Sequence, residues 1–161
     1  MKKLIIILCL LFSGVAWGET IVESTRGPLQ NREKQLIDDG NMEAIGTSDW
    51  ECCLHAICSK EANGLLFNHV LRVTDNGIAP YARQVALVAG EQYHIRGRAR
   101  GDGTNYPTVW IGSHVWTGTT STEWQDVDIV ASATSGYFGI YCFNTNGNYC
   151  EFDDIFVTEA R

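Results

Sequence analysis

Tyr93-His94-Ile95-Arg96-Gly97-Arg98-Ala99-Arg100 alternates small or apolar residues with basic ones. In an extended chain successive side chains point to opposite faces. Tyr93, Ile95, Gly97 and Ala99 therefore share one face, and His94, Arg96, Arg98 and Arg100 share the other. A helical period would scatter both sets around the axis, so the stretch reads as a half-buried strand. The same texture recurs on either side of it. Short runs rich in Val, Ile, Thr, Tyr, Phe and Trp predict strands at Ile57–Lys60, Val70–Thr74, Arg83–Leu87, Tyr93–Arg100, Thr108–Ile111, Trp124–Val130, Tyr137–Phe143 and Tyr149–Thr158. Asp75-Asn76-Gly77, Ala89-Gly90-Glu91 and Asn146-Gly147 mark turns between them. With 16 glycines, 3 prolines and no sustained 3.6-residue apolar period, little room is left for helix. Many short, evenly spaced strands predict an all-β fold, a jelly-roll β-sandwich of two antiparallel sheets. Alternation also assigns faces elsewhere. Phe138, Ile140 and Cys142 point inward, turning Tyr137, Tyr141 and Phe143 outward; Val109 and Ile111 point inward, turning Trp110 outward.

The chain begins with Lys2 and Lys3, an apolar run from Leu4 to Trp17, and small residues at Ala16 and Gly18. This is the three-part pattern of a secretory signal peptide over residues 1–18, with cleavage expected after Gly18. The run is shorter than the roughly 20 apolar residues a spanning helix needs, and no later segment has that length. The mature chain is therefore expected not to insert in a membrane, and to be secreted or periplasmic. Residues 19–35 read as a polar leader, and 36–161 as the domain. Loss of Lys2 and Lys3 moves the net charge from −7 to −9. That acidity, with no basic run to offset it, argues against nucleic acid or an anionic membrane as partner.

Cys9 lies in the signal, leaving Cys52, Cys53, Cys58, Cys142 and Cys150. Export permits disulfides, and an odd count leaves a thiol unpaired. A three-residue hairpin loop at Thr145–Gly147 would place Cys142 and Cys150 opposite each other, where a bridge is expected, the alternative being two small buried thiols. The cluster Cys52-Cys53-Leu54-His55-Ala56-Ile57-Cys58 lacks a second ligand group at zinc-finger spacing, so one local disulfide and one spare thiol are expected.

Three blocks occur in order: Leu36-Ile37-Asp38-Asp39-Gly40-Asn41-Met42-Glu43; Val70–Thr74 followed by Tyr81–Val85 and Gly90–Tyr93; and Phe152-Asp153-Asp154-Ile155-Phe156-Val157. Together they resemble jelly-roll carbohydrate-binding modules of families 4, 9 and 22, a galactose-binding-like β-sandwich, as one module over about residues 36–158. The resemblance implies a structural calcium ion between the first and last strands. Glu43 and Asp153 would supply carboxylates, and Asn41 and the loop at Asn68 carbonyls, in keeping with calcium's demand for six to eight oxygens. Asp39, Met42 and Phe67-Asn68 depart from the usual pattern and weaken the case for the loop carbonyl most.

Such modules stack aromatic faces on sugar rings. The candidate ligand-binding set is Trp110, Tyr141, Arg96 and Arg98, with His94 nearby and with Tyr106 and Trp116 flanking the Trp110 strand. The competing expectation has Trp110 packed under a loop and the arginines paired with Asp126 and Asp128. Trp50 and Trp124 read as core or strand-end packing.

No catalytic signature stands out. Asp38-Asp39 and Asp153-Asp154 are adjacent in extended chain, so their side chains diverge, whereas a glycosidase needs two acids facing one bond. There is no nucleophile elbow, zinc-binding helix motif or phosphate loop. Arg100-Gly101-Asp102 spells an adhesion tripeptide, a match that chance supplies often. The sequence thus predicts a non-catalytic module whose partner is a polysaccharide or other glycan. The alternative is a structural or adhesive surface protein on a virion, tail or cell-surface appendage, self-associating or docked to a larger assembly.

Overall fold

A computed structural model describes residues 34–54, 56–64, 68–77, 80–144 and 146–160. The expected signal peptide, most of the polar leader, and Phe67 and Thr145 lie outside the described residues. Among those described there is no helix and there are ten strands. They are β1 (Glu51–Cys53), β2 (Ile57–Ala62), β3 (His69–Thr74), β4 (Tyr81–Val85), β5 (Gln92–Arg100), β6 (Tyr106–Trp110), β7 (His114–Thr117), β8 (Gln125–Ser132), β9 (Tyr137–Phe143) and β10 (Tyr149–Glu159). The sequence reading omits β1 and β7, which are too short to show alternation. It also starts β4 two residues late, at Arg83 rather than Tyr81.

Two five-stranded antiparallel sheets form the sandwich. The first runs β1-β4-β9-β6-β7 and the second β2-β3-β10-β5-β8. Their inner faces supply one core: Ala82, Val109, Phe138 and Ile140 from the first, and Leu71, Val73, Ile95, Ala99, Val127, Phe152 and Val157 from the second. Each large side chain so buried contributes about 1.5–3 kcal/mol. The faces expected for β5, β6 and β9 are those observed.

The opening segment closes one end against β10. The Leu36 amide donates to Val157 O at 2.9 Å. The Gln35 side chain donates to Ile155 O at 2.9 Å and accepts from the Val157 amide at 2.7 Å. Gly40 O accepts from the Ile155 amide at 2.8 Å. A Cβ at Gly40 would lie 2.0 Å from Ile155 O, so only glycine permits that approach.

Both disulfides join the sheets. Cys52 of β1 pairs with Cys58 of β2, and Cys142 of β9 pairs with Cys150 of β10, leaving Cys53 as the free thiol. The Cys142–Cys150 bridge is present, but not as a hairpin pair. β9 and β10 belong to different sheets, and the two cysteines, both fully buried, meet across the core. The turn carries the chain from one layer to the other because both strands place apolar residues toward a shared interior.

Candidate functional site

The outer face of the first sheet is built by register. Tyr81 on β4 faces Tyr141 on β9, which faces Thr108 on β6, which faces Thr117 on β7. One row along, Arg83 faces Gly139, which faces Trp110. Tyr106 faces Phe143. Alternate residues of β4, β6 and β9 therefore bring Tyr81, Tyr106, Thr108, Trp110, Tyr141 and Phe143 to the same surface, with Arg83 and Gly139 among them.

Tyr141 is the hub. Its ring stacks on Tyr81 at 4.6 Å and on Phe143 at 5.3 Å, the latter nearly parallel, and meets Trp110 edge-on at 6.0 Å. Phe143 in turn stacks on Tyr106 at 5.9 Å. Burial, with the neighbouring Tyr81 adding to it, pushes the Tyr141 hydroxyl up to about 12. Because neighbouring rings already occupy its faces, Tyr141 supports the surface more than it offers a platform. Trp110, Tyr81 and Tyr106 form the border of the file.

Beyond Tyr106 and Phe143 the surface drops into a groove. A recess of about 140 Å³ is lined by Tyr106, Thr108, Thr117 and Phe143. It neighbours a shallower hollow of about 430 Å³ lined by Tyr106, Thr117, Gly118, Thr119 and Thr120. One wall is aromatic and the other carries hydroxyls, and none of these lining residues is charged. Thr117 of that wall was not legible because β7 itself was not, and Thr119 and Thr120 lie in the loop that follows it. Tyr81 lies two residues before the strand expected from Arg83, and alternation carried back along β4 reaches it.

At the other end, Arg83 takes Glu51 in a two-point ion pair at 2.7 and 2.9 Å. That contact holds the Glu51 carboxyl below its usual range. The guanidinium lies 4.3 Å from the Tyr137 ring centroid. Cys53 lies opposite Tyr81 in the neighbouring row, its thiol raised by burial.

Of the expected ligand set, the structure brings together Trp110, Tyr141 and Tyr106. It does not bring Trp116, Arg96 or Arg98 to them. Trp116 faces Val109 and packs against the core, because β7 alternates with Thr117 outward. Arg96 and Arg98 lie on β5, in the second sheet, and face the opposite side of the sandwich. One-strand alternation assigns a residue to a face but cannot tell which sheet's outer face it is.

That second face is a lattice of ion pairs rather than a cationic strip. Glu151, almost fully buried, accepts from Arg72 at 2.7 Å and from Arg100 at 2.7 Å. Arg98 donates to Asp153 at 2.5 Å, with Asp154 3.4 Å away. His94 meets Asp128 at 2.6 Å. Arg98 and Arg100 lie over Trp124 at 5.0 and 4.5 Å, so this tryptophan packs against guanidinium groups rather than in the core. Trp50 is in the core, edge-on to Phe138. The Arg100-Gly101-Asp102 tripeptide is likewise engaged internally. Arg100 holds Glu151, and Asp102 accepts the amides of Thr104, Asn105 and Tyr149 at 2.9, 2.8 and 3.0 Å.

The expected calcium ligands carry partners from the chain. Glu43 accepts the His69 amide at 2.8 Å and faces its ring at 3.2 Å. The amide contact holds the Glu43 carboxyl below its usual range. Asp153 takes Arg98 and the Asp154 amide, and burial raises its carboxyl despite the arginine. Asn68 O accepts the Asn63 amide at 2.8 Å, and Asn41 is exposed. Among the described residues no three acidic, histidine or cysteine side chains converge as a metal site. Glu43, Asp153 and Asn68 thus each already hold a partner within the chain.

No protein-family model matches the sequence, and no curated protein matches it. Solved structures do match its fold. A family 61 carbohydrate-binding module in complex with β-1,4-galactotriose has 12% identity and a TM-score of 0.60, covering 80% of this chain and all of that one. The C-terminal family 22 module of Clostridium thermocellum Xyn10B has 14% identity and a TM-score of 0.59, over 80% and 96% of the two chains. The K3 adhesin domain of Lys-gingipain from Porphyromonas gingivalis has 9% identity and a TM-score of 0.59, over 80% and 99%. The chain is an all-β sandwich with the fold of carbohydrate-binding modules.

Proposed function

We propose that this chain is a non-catalytic glycan-binding module that takes an uncharged polysaccharide segment on the outer face of the first sheet. The observation that carries the reading is the aromatic file that ends in a groove walled by Tyr106 and Phe143 on one side and threonine hydroxyls on the other. Sugar rings pair apolar faces with a rim of hydroxyls, and this surface offers the complement of both. The solved module with galactotriose bound supports it at the level of fold.

An uncharged ligand follows from the electrostatics. The described cations on this face reduce to Arg83, which Glu51 already neutralises, and the negative net charge, −7 for the whole sequence and more negative without Lys2 and Lys3, repels polyanions. The same pair argues against hydrolysis. Glu51 is the one carboxylate among the described residues of this face, and hydrolysis requires two flanking the bond. Export through residues 1–18 is part of the proposal, supported by two disulfides that need an oxidising compartment. A second reading, an adhesive surface subunit, draws support from the adhesin domain that shares the fold.

Affinity electrophoresis of residues 19–161 against neutral and acidic polysaccharides tests the proposal. Retardation by a neutral glycan, insensitive to salt, is expected. Trp110→Ala and Tyr106→Ala should each weaken it roughly tenfold, the equivalent of 1.4 kcal/mol. Arg96→Ala with Arg98→Ala should leave it unchanged. Binding that survives both aromatic changes in folded protein would refute this face. Absence of binding to any glycan would favour the adhesive reading.

A further inference from the structure

The opening segment carries three acids, Asp38, Asp39 and Glu43, and the positive charge of Lys60 acts on the latter two. Lys60 on β2 has the inward parity of Cys58, and its ammonium forms an ion pair with Asp39 Oδ2. Both side chains are buried, with relative exposures of 9% and 2%. Asp39 Oδ1 accepts the Ala44 amide at 2.8 Å, closing a loop in which Asp39 and Met42 both adopt left-handed backbone conformations. The Lys60 charge also reaches Glu43, helping to hold its carboxyl low. Glu43 is meanwhile bound to His69 at the start of β3.

We infer that Lys60 is an internal cation that does here what a calcium ion would do, tying the opening segment to the edge strand β2 so that the sandwich closes without metal. The ammonium donates to a buried carboxylate, and its side chain keeps little exposure to solvent. A divalent ion brought among these groups would meet that positive charge in a low-dielectric environment, where like charges repel strongly. It would also have to displace Arg98 from Asp153 and His69 from Glu43 to gather its oxygens. None of these groups belongs to the aromatic file or the groove, so the inference stands apart from the proposed function.

The test is thermal unfolding of the disulfide-intact protein in EDTA and in millimolar CaCl2, with elemental analysis of the purified chain. Equal melting temperatures and no stoichiometric metal are expected. A calcium-dependent rise, or metal found at one equivalent, overturns the inference. Lys60→Met should lower Tm by on the order of 10 °C, since removing one partner of a buried pair leaves the other charge unpaired. The double variant Lys60→Met, Asp39→Asn should lose little more than either single one. Lys60→Met with an unchanged Tm also overturns it. Should Lys60→Met fail to fold, Lys60→Arg, which keeps the charge, should fold and remain calcium-independent.

Discussion

Tyr141 separates support of the surface from contact with ligand. Replacing it with alanine removes a half-buried ring that touches Tyr81, Phe143 and Trp110. A fully buried aromatic loses about 3–5 kcal/mol on truncation, and each ring pair accounts for about 0.5–1.5 kcal/mol. With one side open to water, the expected cost is about 2–3 kcal/mol. Trp110 and Tyr81 lose their lateral support at the same time, so glycan affinity should fall roughly tenfold, or 1.4 kcal/mol. Tyr141→Phe keeps every ring contact and should leave affinity within about twofold, because the hydroxyl is not the part that supports its neighbours.

The same residue has a pH signature. Its hydroxyl is raised to about 12 from 10, so between those values the folded chain keeps a proton that the unfolded chain has released. Stability therefore falls as pH rises from 10 toward 12. Tyr141→Phe should flatten that alkaline limb. The assay is urea unfolding followed by tryptophan fluorescence between pH 9 and 11 (roughly, the window in which the tyrosines begin to titrate), alongside glycan titrations at neutral pH. If Tyr141→Ala leaves both stability and affinity unaltered, the hub is not a hub. If Tyr141→Phe abolishes binding, the hydroxyl contacts ligand directly and the supporting role is wrong.

Two further outcomes are expected. Cys142→Ala with Cys150→Ala should cost about 2.5 kcal/mol from loop-closure entropy, a fall in Tm of roughly 10 °C, because the bridge spans eight residues and joins the sheets through the core; an unchanged melting curve would show that the bridge does not restrain the unfolded chain. Once residues 1–18 are absent, iodoacetamide without reductant should add a single label, at Cys53, slowly at neutral pH and faster as pH approaches the thiol's raised pKa; two or more adducts would mean that one of the disulfides is open.

The existence and facing of the eight longer strands were legible because period-2 alternation is a local property. Tyr93–Arg100 and Tyr137–Phe143 each assigned inward and outward residues as observed, since one inward Arg or one outward Phe138 would have broken the core. Sheet membership was not legible. Nothing in the spacing of Cys142 and Cys150 distinguishes a hairpin from a crossing between layers. The crossing is decided only when β10 finds β3 and β5 as partners while β9 finds β4 and β6. The same ambiguity joined Arg96 and Arg98 to Trp110 in the sequence reading, although the sandwich places them back to back.

The two outer faces also differ in how their charges are used, and this difference argues most directly for which of them binds. On the second sheet, Glu151 lies between Arg72 and Arg100, and Asp153 lies under Arg98, so the guanidiniums are committed to internal carboxylates. A ligand arriving there would have to compete with bonds already made, at the cost of stranding a buried acid. On the first sheet the corresponding positions carry rings and threonines, which keep hydrogen-bonding capacity and apolar surface available without breaking a charge pair. The acidic chain thus stabilises one side of its sandwich with arginine–carboxylate pairs and leaves the other side largely uncharged, with an open groove. For the proposed neutral glycan that asymmetry would matter, since hydroxyl-for-water exchange is nearly balanced and the net gain would come mainly from the aromatic surface.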